Sequence, residues 1–276
     1  MCVMTQHYWR NSTLPFVELR STYSSVQTYK PHFHPQLSFG AVISGETRAS
    51  CGGRERLLRR GDLVLIAPHV VHSCNPMAGQ PRSYHMLHLD EAWCLENVSA
   101  LRGRSLAGVY GEVSVIRNDE LFAQYLEFVT NLPDMSANEA AAQLQRLLTA
   151  AIDGNCPATP LPQSRQLPER IRQALLDSID SPATLDELAR AFGCRKETLI
   201  RVFRRAFHIT PHAFVNNARI ERAKRRLKMG EQIAHVAADL GFSDQAQLHR
   251  TFVNYTASTP GQYRRARSTA SINIRQ

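Results

Sequence analysis

A pattern of leucines, alanines and aromatics occurs twice near the C-terminus of this chain, and a repeat in register constrains the fold more than any other feature. Leu188-Ala189, Phe192-Gly193, Leu199, Arg201, Phe203 and Pro211 correspond to Val236-Ala237, Leu240-Gly241, Leu248, Arg250, Phe252 and Pro260. The offset is 48 residues up to the central glycine and 49 beyond it, so the copies differ by one residue in the turn. Each copy reads as an apolar helix of about two turns, a glycine turn, and a second helix with an apolar and a basic face. That is the helix-turn-helix arrangement, and two of them imply two helices offered to two stretches of DNA. A plain bundle with a duplicated core would repeat the leucines without the exposed arginines.

Charge follows the repeat. Among 276 residues, 33 Lys/Arg against 24 Asp/Glu leave a net charge of +9. Residues 1–164 hold 13 basic and 14 acidic side chains while residues 165–276 hold 20 and 10, so the excess is entirely C-terminal. A basic segment that coincides with the repeat is the footprint of a phosphate-binding surface, and the near-neutral half points to another task. Six cysteines at 2, 51, 74, 94, 156 and 194 form no CxxC pair and no zinc-finger or disulfide spacing. With no leader-like apolar segment and no long apolar run, the expectation is a cytoplasmic protein without membrane contact.

In the first unit Thr184 and Glu187 form a capping box that starts a helix at Leu185, and Gly193 suits the turn that ends it. The next helix, Lys196 to Phe207, buries Leu199, Val202, Phe203 and Ala206 and turns Glu197, Thr198, Arg201, Arg204 and Arg205 outward. An arginine at 201 can donate two parallel hydrogen bonds to guanine O6 and N7. In the second unit Ser243 is placed to cap a helix carrying Gln245, Gln247, His249 and Arg250, with Leu248 and Phe252 inward. Glutamine suits adenine, and Arg250 repeats the role of Arg201. Arg204, Arg205 and Arg264 suit phosphate, where charge matters and base identity does not. Between the units Pro211 to Met229 reads as one helix of about 27 Å, a spacer that holds two recognition helices about 34 Å apart, one turn of B-DNA.

The segment from Thr184 to Arg265, with LDELARAFG, TLIRVFRRAF, ARIERAKRRL, GFSDQAQLHRTF and TPGQYRR, resembles the DNA-binding domain of the AraC/XylS family of bacterial transcription regulators. The resemblance implies seven helices in two helix-turn-helix subdomains joined by a long helix, each placing one helix in adjacent major grooves of double-stranded DNA. It implies Glu197, Ile200 and Arg201 as base-reading positions of the first unit, and Gln245, Ala246, His249 and Arg250 of the second. Glu197 can accept from cytosine N4 and Ile200 can pack on a thymine methyl. The unequal sets predict an asymmetric site rather than a palindrome. Family members commonly carry glycine where this chain has His208 and Ala257. Either these residues keep a left-handed backbone at about 1 kcal/mol each, or the helix ends are rebuilt.

The N-terminal half reads differently. Leu37 to Ile43, Thr47 to Cys51, Arg54 to Leu58, Leu63 to Ile66 and Tyr84 to Leu89 are short strands between turn signals, which predicts a sandwich or barrel. From Asp119 the period becomes helical. Leu121, Tyr125, Phe128 and Leu132 share one stripe, and after Pro133 a second helix aligns Leu144, Leu147, Leu148 and Ile152. Residues 154–166, with three prolines, read as a linker. The expected organisation is an α+β multidomain chain: a β-barrel over 1–118, a helical dimerisation segment over 119–153, the linker, a double helix-turn-helix domain over 167–266, and a tail over 267–276.

His32-Phe33-His34, Gly45, Gly61, Pro68, His72 and Asn75 resemble the two cupin motifs, as the sensor domains of AraC-type regulators do. Metal cupins add a glutamate a few residues after the HxH pair, whereas here Pro35-Gln36-Leu37-Ser38-Phe39 follows. Three imidazoles could still hold a metal, but histidines lining a polar pocket are the expected use, with no metal and no cofactor. Tyr84, Met86 and His88 alternate along one strand face and either line the same cavity or point outward. The candidate ligand set is His32, His34, His72, Tyr84 and His88, for a small-molecule effector. The two helices either cover the barrel or, as the resemblance implies, form a dimer interface through Leu144, Leu147, Leu148 and Ile152. The expected function is a non-enzymatic, sequence-specific transcriptional activator controlled by that effector, a homodimer with RNA polymerase as a partner. The alternatives are a metal-dependent cupin enzyme fused to a DNA-binding module and a regulator with no effector.

Overall fold

Side chains alternate across the strands of the N-terminal half, and both faces of its main sheet are covered. The computed structural model describes residues 5–102, 113–153 and 166–265. Strands β1 (Thr5–Arg10), β2 (Val17–Ser25), β3 (Leu37–Ser44), β6 (Leu63–Ile66), β8 (Arg82–Leu89) and β9 (Ser114–Ile116) form a sheet in the order β1-β2-β8-β3-β6-β9. Strands β4 (Thr47–Cys51), β5 (Arg54–Leu58) and β7 (His72–Pro76) form a second sheet, ordered β5-β4-β7. Neighbouring strands are antiparallel throughout. The described strands make a two-sheet jelly roll of the cupin-like kind rather than a closed barrel.

One face of the large sheet carries Leu19, Phe39, Leu65 and Leu87 into a core shared with α2 (Asp119–Asn131) and α3 (Ala137–Asp153). Tyr125 on α2 donates its hydroxyl to the Phe39 carbonyl at 2.9 Å, which pins helix to sheet. The opposite face carries Val42, Val64 and Ile66 against Ala49 and Leu58 of the small sheet. Burial on both faces explains why β3 and β6 read as continuous apolar runs. It also corrects the proposed dimer residues: Leu144, Leu147, Leu148 and Ile152 are at most 3% exposed in a single chain. They fill this chain's own core, so they have no surface left to offer a second copy.

Strands β1, β2, β7 and β9 and the helix α1 (Glu91–Arg102) were not expected. Strand β2, VELRSTYSS, mixes charged and apolar residues because its two faces meet different surroundings. The expected linker lies outside the described residues apart from Gln166, and the expected tail lies wholly outside them.

Seven described helices follow: α4 (Gln166–Asp177), α5 (Leu185–Ala191), α6 (Lys196–Phe207), α7 (Pro211–Lys228), α8 (Ile233–Asp239), α9 (Gln245–Thr256) and α10 (Pro260–Arg265). The repeat is structural, since α5 and α8 both have 7 residues and α6 and α9 both have 12. The capping box forms, with the Glu187 amide donating to Thr184 Oγ1 at 3.2 Å and the Thr184 amide donating to Glu187 Oε2 at 2.8 Å. Asp244, not Ser243, caps α9 by accepting from the Gln247 amide at 2.5 Å. The inserted residue sits here: the cap of α6 is Arg195, two residues past Gly193, and that of α9 is three past Gly241. His208 (φ 58°) and Ala257 (φ 53°) both keep the left-handed conformation, so the helix ends are not rebuilt.

Helix α7 divides the domain into two cores. Phe214, Val215 and Ala218 pack with α4 to α6, and Ile220, Ala223 and Leu227 with α8 to α10.

Candidate nucleic-acid interface and ligand cavity

Helices α6 and α9 bury one face and leave the other open. Leu199, Phe203, Leu248 and Phe252 are wholly buried. Glu197, Arg201, Arg204, Arg205, Gln245, Ala246, His249 and Arg250 are exposed, and Ile200 is half-buried. Arg201, Arg204, Arg205 and Arg250 pair with no acidic group among the described residues, which leaves their charge for an outside anion. Three of the four arginines of α7 are occupied, and Arg225 is exposed. Arg219 donates to the Ile179 carbonyl at 2.9 Å, Arg222 meets Asp180 at 3.4 Å, and Arg226 binds both Glu231 and Asp239 at 2.6 Å.

The N-terminal cavity of about 50 Å³ opens on the second face of the large sheet. All five residues expected there, His32, His34, His72, Tyr84 and His88, line it. Register explains the last two: Tyr84, Met86 and His88 of β8 sit opposite Val42, Gly40 and Ser38 of β3. Arg20, Tyr29 and Arg82 also line the cavity and were missed. Arg20 donates to the Tyr29 hydroxyl at 2.5 Å, and that hydroxyl lies 2.8 Å from the hydroxyl of Tyr84. Arg82 lies over the Tyr84 ring at 4.6 Å and donates to the Cys74 carbonyl at 2.5 Å and to Thr47 Oγ1 at 3.2 Å. Burial pushes the Tyr84 phenol up, but Arg20 and Arg82 outweigh it and hold the phenol below the ordinary tyrosine value.

The imidazoles are pinned from behind. Nδ1 of His32 lies 2.7 Å from the Lys30 carbonyl, Nδ1 of His72 lies 2.9 Å from that of Val70, and Nδ1 of His34 lies 3.2 Å from Glu221 Oε1. Burial, reinforced by the neighbouring rings, drives His32 well below the usual histidine value and His72 down to about 3. One ligand atom from each of the three lies within 4.8 Å of the others, a spacing that three metal ligands adopt. The carboxylate of metal cupins is absent: at its place Ser38 lies 3.1 Å from His88. Glu221 is tied to Lys224 by two 3.0 Å hydrogen bonds. The fit to a cupin metal is thus incomplete.

Glu221 belongs to α7, and through it the cavity reaches the other domain. Phe33, between the two cavity histidines, inserts into the core of the first helix-turn-helix unit and stacks on Phe214 with ring centroids 5.0 Å apart. Asn217 clamps the same residue, accepting from the Phe33 amide at 2.7 Å and donating to its carbonyl at 3.1 Å. On β2, Glu18 binds Lys228 at 2.5 Å and Arg10 at 2.7 Å, and Arg10 also donates to the Tyr263 carbonyl at 3.1 Å. Burial raises the Glu18 carboxyl, but Lys228 and Arg10 hold it far below the carboxylate range. The Lys30 amide donates to the Asn254 carbonyl at 3.3 Å, so the second unit is gripped as well. Sequence reasoning treated α7 as a spacer only. The overlooked signal was the polar stripe Asn217, Glu221, Lys224 and Lys228, spaced as one face of a helix and buried over its first three members.

A jelly roll with a charged aromatic cavity, docked along one helix of a double helix-turn-helix unit, defines a ligand-responsive DNA-binding protein. Residues 15–152 match the model of the AraC-like ligand binding domain, and residues 188–266 match that of a helix-turn-helix domain. The chain belongs to the AraC family of transcriptional regulators. It is 25% identical over 227 residues to the uncharacterized HTH-type transcriptional regulator YbfI of Bacillus subtilis, covering 81% of this chain and 82% of that one. It is 23% identical over 158 residues to the Msm operon regulatory protein of Streptococcus mutans, covering 54% and 56%. Among solved structures, ToxT from Vibrio cholerae shares the fold with a TM-score of 0.57 at 12% identity, over 95% of this chain and 97% of that one. No described helix is long and apolar enough to cross a membrane.

Proposed function

We propose that this regulator reads an asymmetric DNA site with α6 and α9 and that a small molecule in the jelly-roll cavity sets how firmly the sensor holds α7. Arg201 and Arg250 read bases, joined by Glu197 and Ile200 in one groove and by Gln245, Ala246 and His249 in the next, while Arg204 and Arg205 hold phosphate. His32, His34, His72, Tyr84 and His88 touch the effector. The observation that carries the reading is that residues 32–34 belong to both sites: two side chains line the cavity and the one between them sits in the DNA-binding domain. An effector that binds the docked and undocked states unequally shifts their populations, and one that binds both equally does nothing. A ToxT structure with a bound unsaturated fatty acid supports an effector site in this fold.

The protein acts in the cytoplasm as a regulator rather than a catalyst. Its regulatory outcome is activation through RNA polymerase, with the sensor spanning residues 1–153 and the reader 167–266. Self-association would use the exposed side of α3, at Asn138, Ala142, Arg146 and Ala150. Arg201→Ala or Arg250→Ala should weaken binding to the cognate site by about 1–3 kcal/mol and relax specificity at one position each. Selection of binding sites from a random DNA pool tests this. Parent-like affinity and discrimination in both variants would remove α6 and α9 as the reading surface.

A further inference from the structure

The cavity carries two kinds of polar group that the chain itself leaves unmet, and they ask for different partners. At one end stand two guanidinium groups, Arg20 and Arg82. Their partners are the Tyr29 hydroxyl, Thr47 Oγ1, the Cys74 carbonyl and the Gln6 carboxamide oxygen turned toward Arg20. No carboxylate among the described residues pairs with either. A guanidinium out of water keeps its charge, and its planar fork is matched best by a two-oxygen anion. Arg82 is 2% exposed, and its Nε has no hydrogen-bond partner among the described residues. One arm of that fork remains for a ligand.

At the other end the imidazoles offer only lone pairs. A backbone carbonyl can only accept, so Nδ1 of His32 and of His72 carries the proton, and Nε2 of each neutral ring is a bare acceptor. His34, backed by the Glu221 carboxylate, is arranged alike. Three acceptors gathered within 4.8 Å of one another cannot satisfy one another, since none brings a hydrogen. They need a donor from outside the chain.

The two ends adjoin, because the Tyr29 ring that receives Arg20 lies 6.0 Å from the His32 ring. Val42, Val64 and Ile66 line the cavity beside them and suit a short carbon body. A volume of about 50 Å³ restricts the ligand to a compact molecule. We propose that the cavity binds a compact hydroxycarboxylate, its carboxylate on Arg82 and Arg20 and its hydroxyl donating its one proton to Nε2 of His72, with His32 and His34 beside it. A plain alkanoate leaves the imidazoles unmet and a neutral polyol leaves the arginines unmet. A site built to hydrogen-bond a group rejects an analogue that lacks it. The proposal rests on the reading of this cavity as the effector site.

Calorimetric titration of the full-length protein with lactate, glycerate, propionate and lactamide tests it, and the comparison on unaltered protein depends on no variant folding. Lactate or glycerate should bind at least about tenfold tighter than propionate, which lacks the hydroxyl, and than lactamide, which lacks the charge. In His72→Phe, checked for folding by circular dichroism, the preference for lactate over propionate should fall toward one, and Arg82→Lys should weaken both acids. Equal binding of propionate and lactate would overturn the acceptor assignment, and equal binding of lactamide would overturn the arginine assignment. Binding of Zn²⁺ that is lost in His72→Phe, with no acid bound, would make the triad a metal site and overturn the proposal. A hydroxy acid that binds in this pattern yet leaves DNA affinity unchanged would uphold the proposal and refute the effector reading. Control of DNA binding by another class of compound, with no acid bound, would do the reverse.

Discussion

Replacing Phe33 by alanine should undock the two domains without unfolding either. The side chain is 7% exposed, and the residues that bury it belong to the core of the first helix-turn-helix unit rather than to the core between sheet and helices. A buried phenylalanine covers about 150–250 Å². At about 25 cal/mol per Å² that burial contributes about 4–6 kcal/mol, close to the range of about 3–5 kcal/mol for Phe→Ala in protein cores. Even about 3 kcal/mol lowers the docking equilibrium more than about a hundredfold, because each step of about 1.4 kcal/mol is tenfold. Asn217→Ala removes the clamp but keeps the ring, and leaving the Phe33 amide and carbonyl without partners should cost about 1–3 kcal/mol.

Hydrogen exchange reads the effect, because the amides of Lys30 and Phe33 both donate across the domain boundary. Both should exchange more than about a hundredfold faster in Phe33→Ala; in Asn217→Ala, which removes the Phe33 amide's own acceptor, Lys30 reports docking and should gain less, while the amides of Phe39 and Leu87 stay as protected as before. Unchanged exchange at Lys30 and Phe33 in both variants would refute the claim that this contact holds the domains. If exchange rose throughout α4 to α6, Phe33 would be a core residue of that unit rather than a docking residue.

His208→Gly should raise stability by about 0.5–1 kcal/mol in urea unfolding: it relieves about 1–2 kcal/mol of left-handed backbone, offset in part by the entropy glycine adds to the unfolded chain. Ala257→Gly relieves the same strain but removes a buried methyl group worth about 0.8 kcal/mol, so it should be near neutral, and a gain equal to that of His208→Gly would contradict this difference in burial. Gly241→Ala should be strongly destabilising in thermal melts. Its φ is +70° and an added Cβ would lie against the Asp180 carbonyl oxygen, whereas Gly193→Ala meets open space and should suffer only the backbone cost. Acid should weaken the sensor early. Burial holds His72 at about 3 and His85 at about 4, so unfolding takes up protons below the ordinary value of 6.5. Each then removes up to about 1.4 kcal/mol per pH unit until its folded value is reached. Glu221, held at about 2, contributes stability above its ordinary 4.5 that is lost only as the pH falls toward 2. Urea midpoints at pH 7, 6 and 5 should therefore decline steadily, and a flat profile would refute the buried neutral histidines.

Local signals made the reader domain legible. Capping residues, glycine turns and the 3.6-residue period all act within a few residues, so the helix from Lys196 to Phe207 was placed residue for residue. The cavity was legible only where side chains alternate on one strand, as at Tyr84 and His88. Arg20 escaped notice because a charged residue within a strand reads as solvent-facing, and only the pairing of β2 with β8 sets it opposite Met86. The stripe on α3 was visible but not its use, since periodicity shows that a face is apolar and not what covers it. Glu221 and Lys224 carry no local sign of burial for the same reason: what buries them lies far away in the chain, as the pairing of Glu221 with His34 shows.

Helix α7 has two allegiances along its whole length. One side, with Ile220, Ala223 and Leu227, belongs to the reader, and the other, with Asn217, Glu221, Lys224 and Lys228, answers to the sensor. The seam between the working parts therefore runs lengthwise down a helix rather than across a linker. A chimaera that grafts this sensor onto a foreign reader would inherit the cavity and lose its lever, unless those four side chains were transplanted with it.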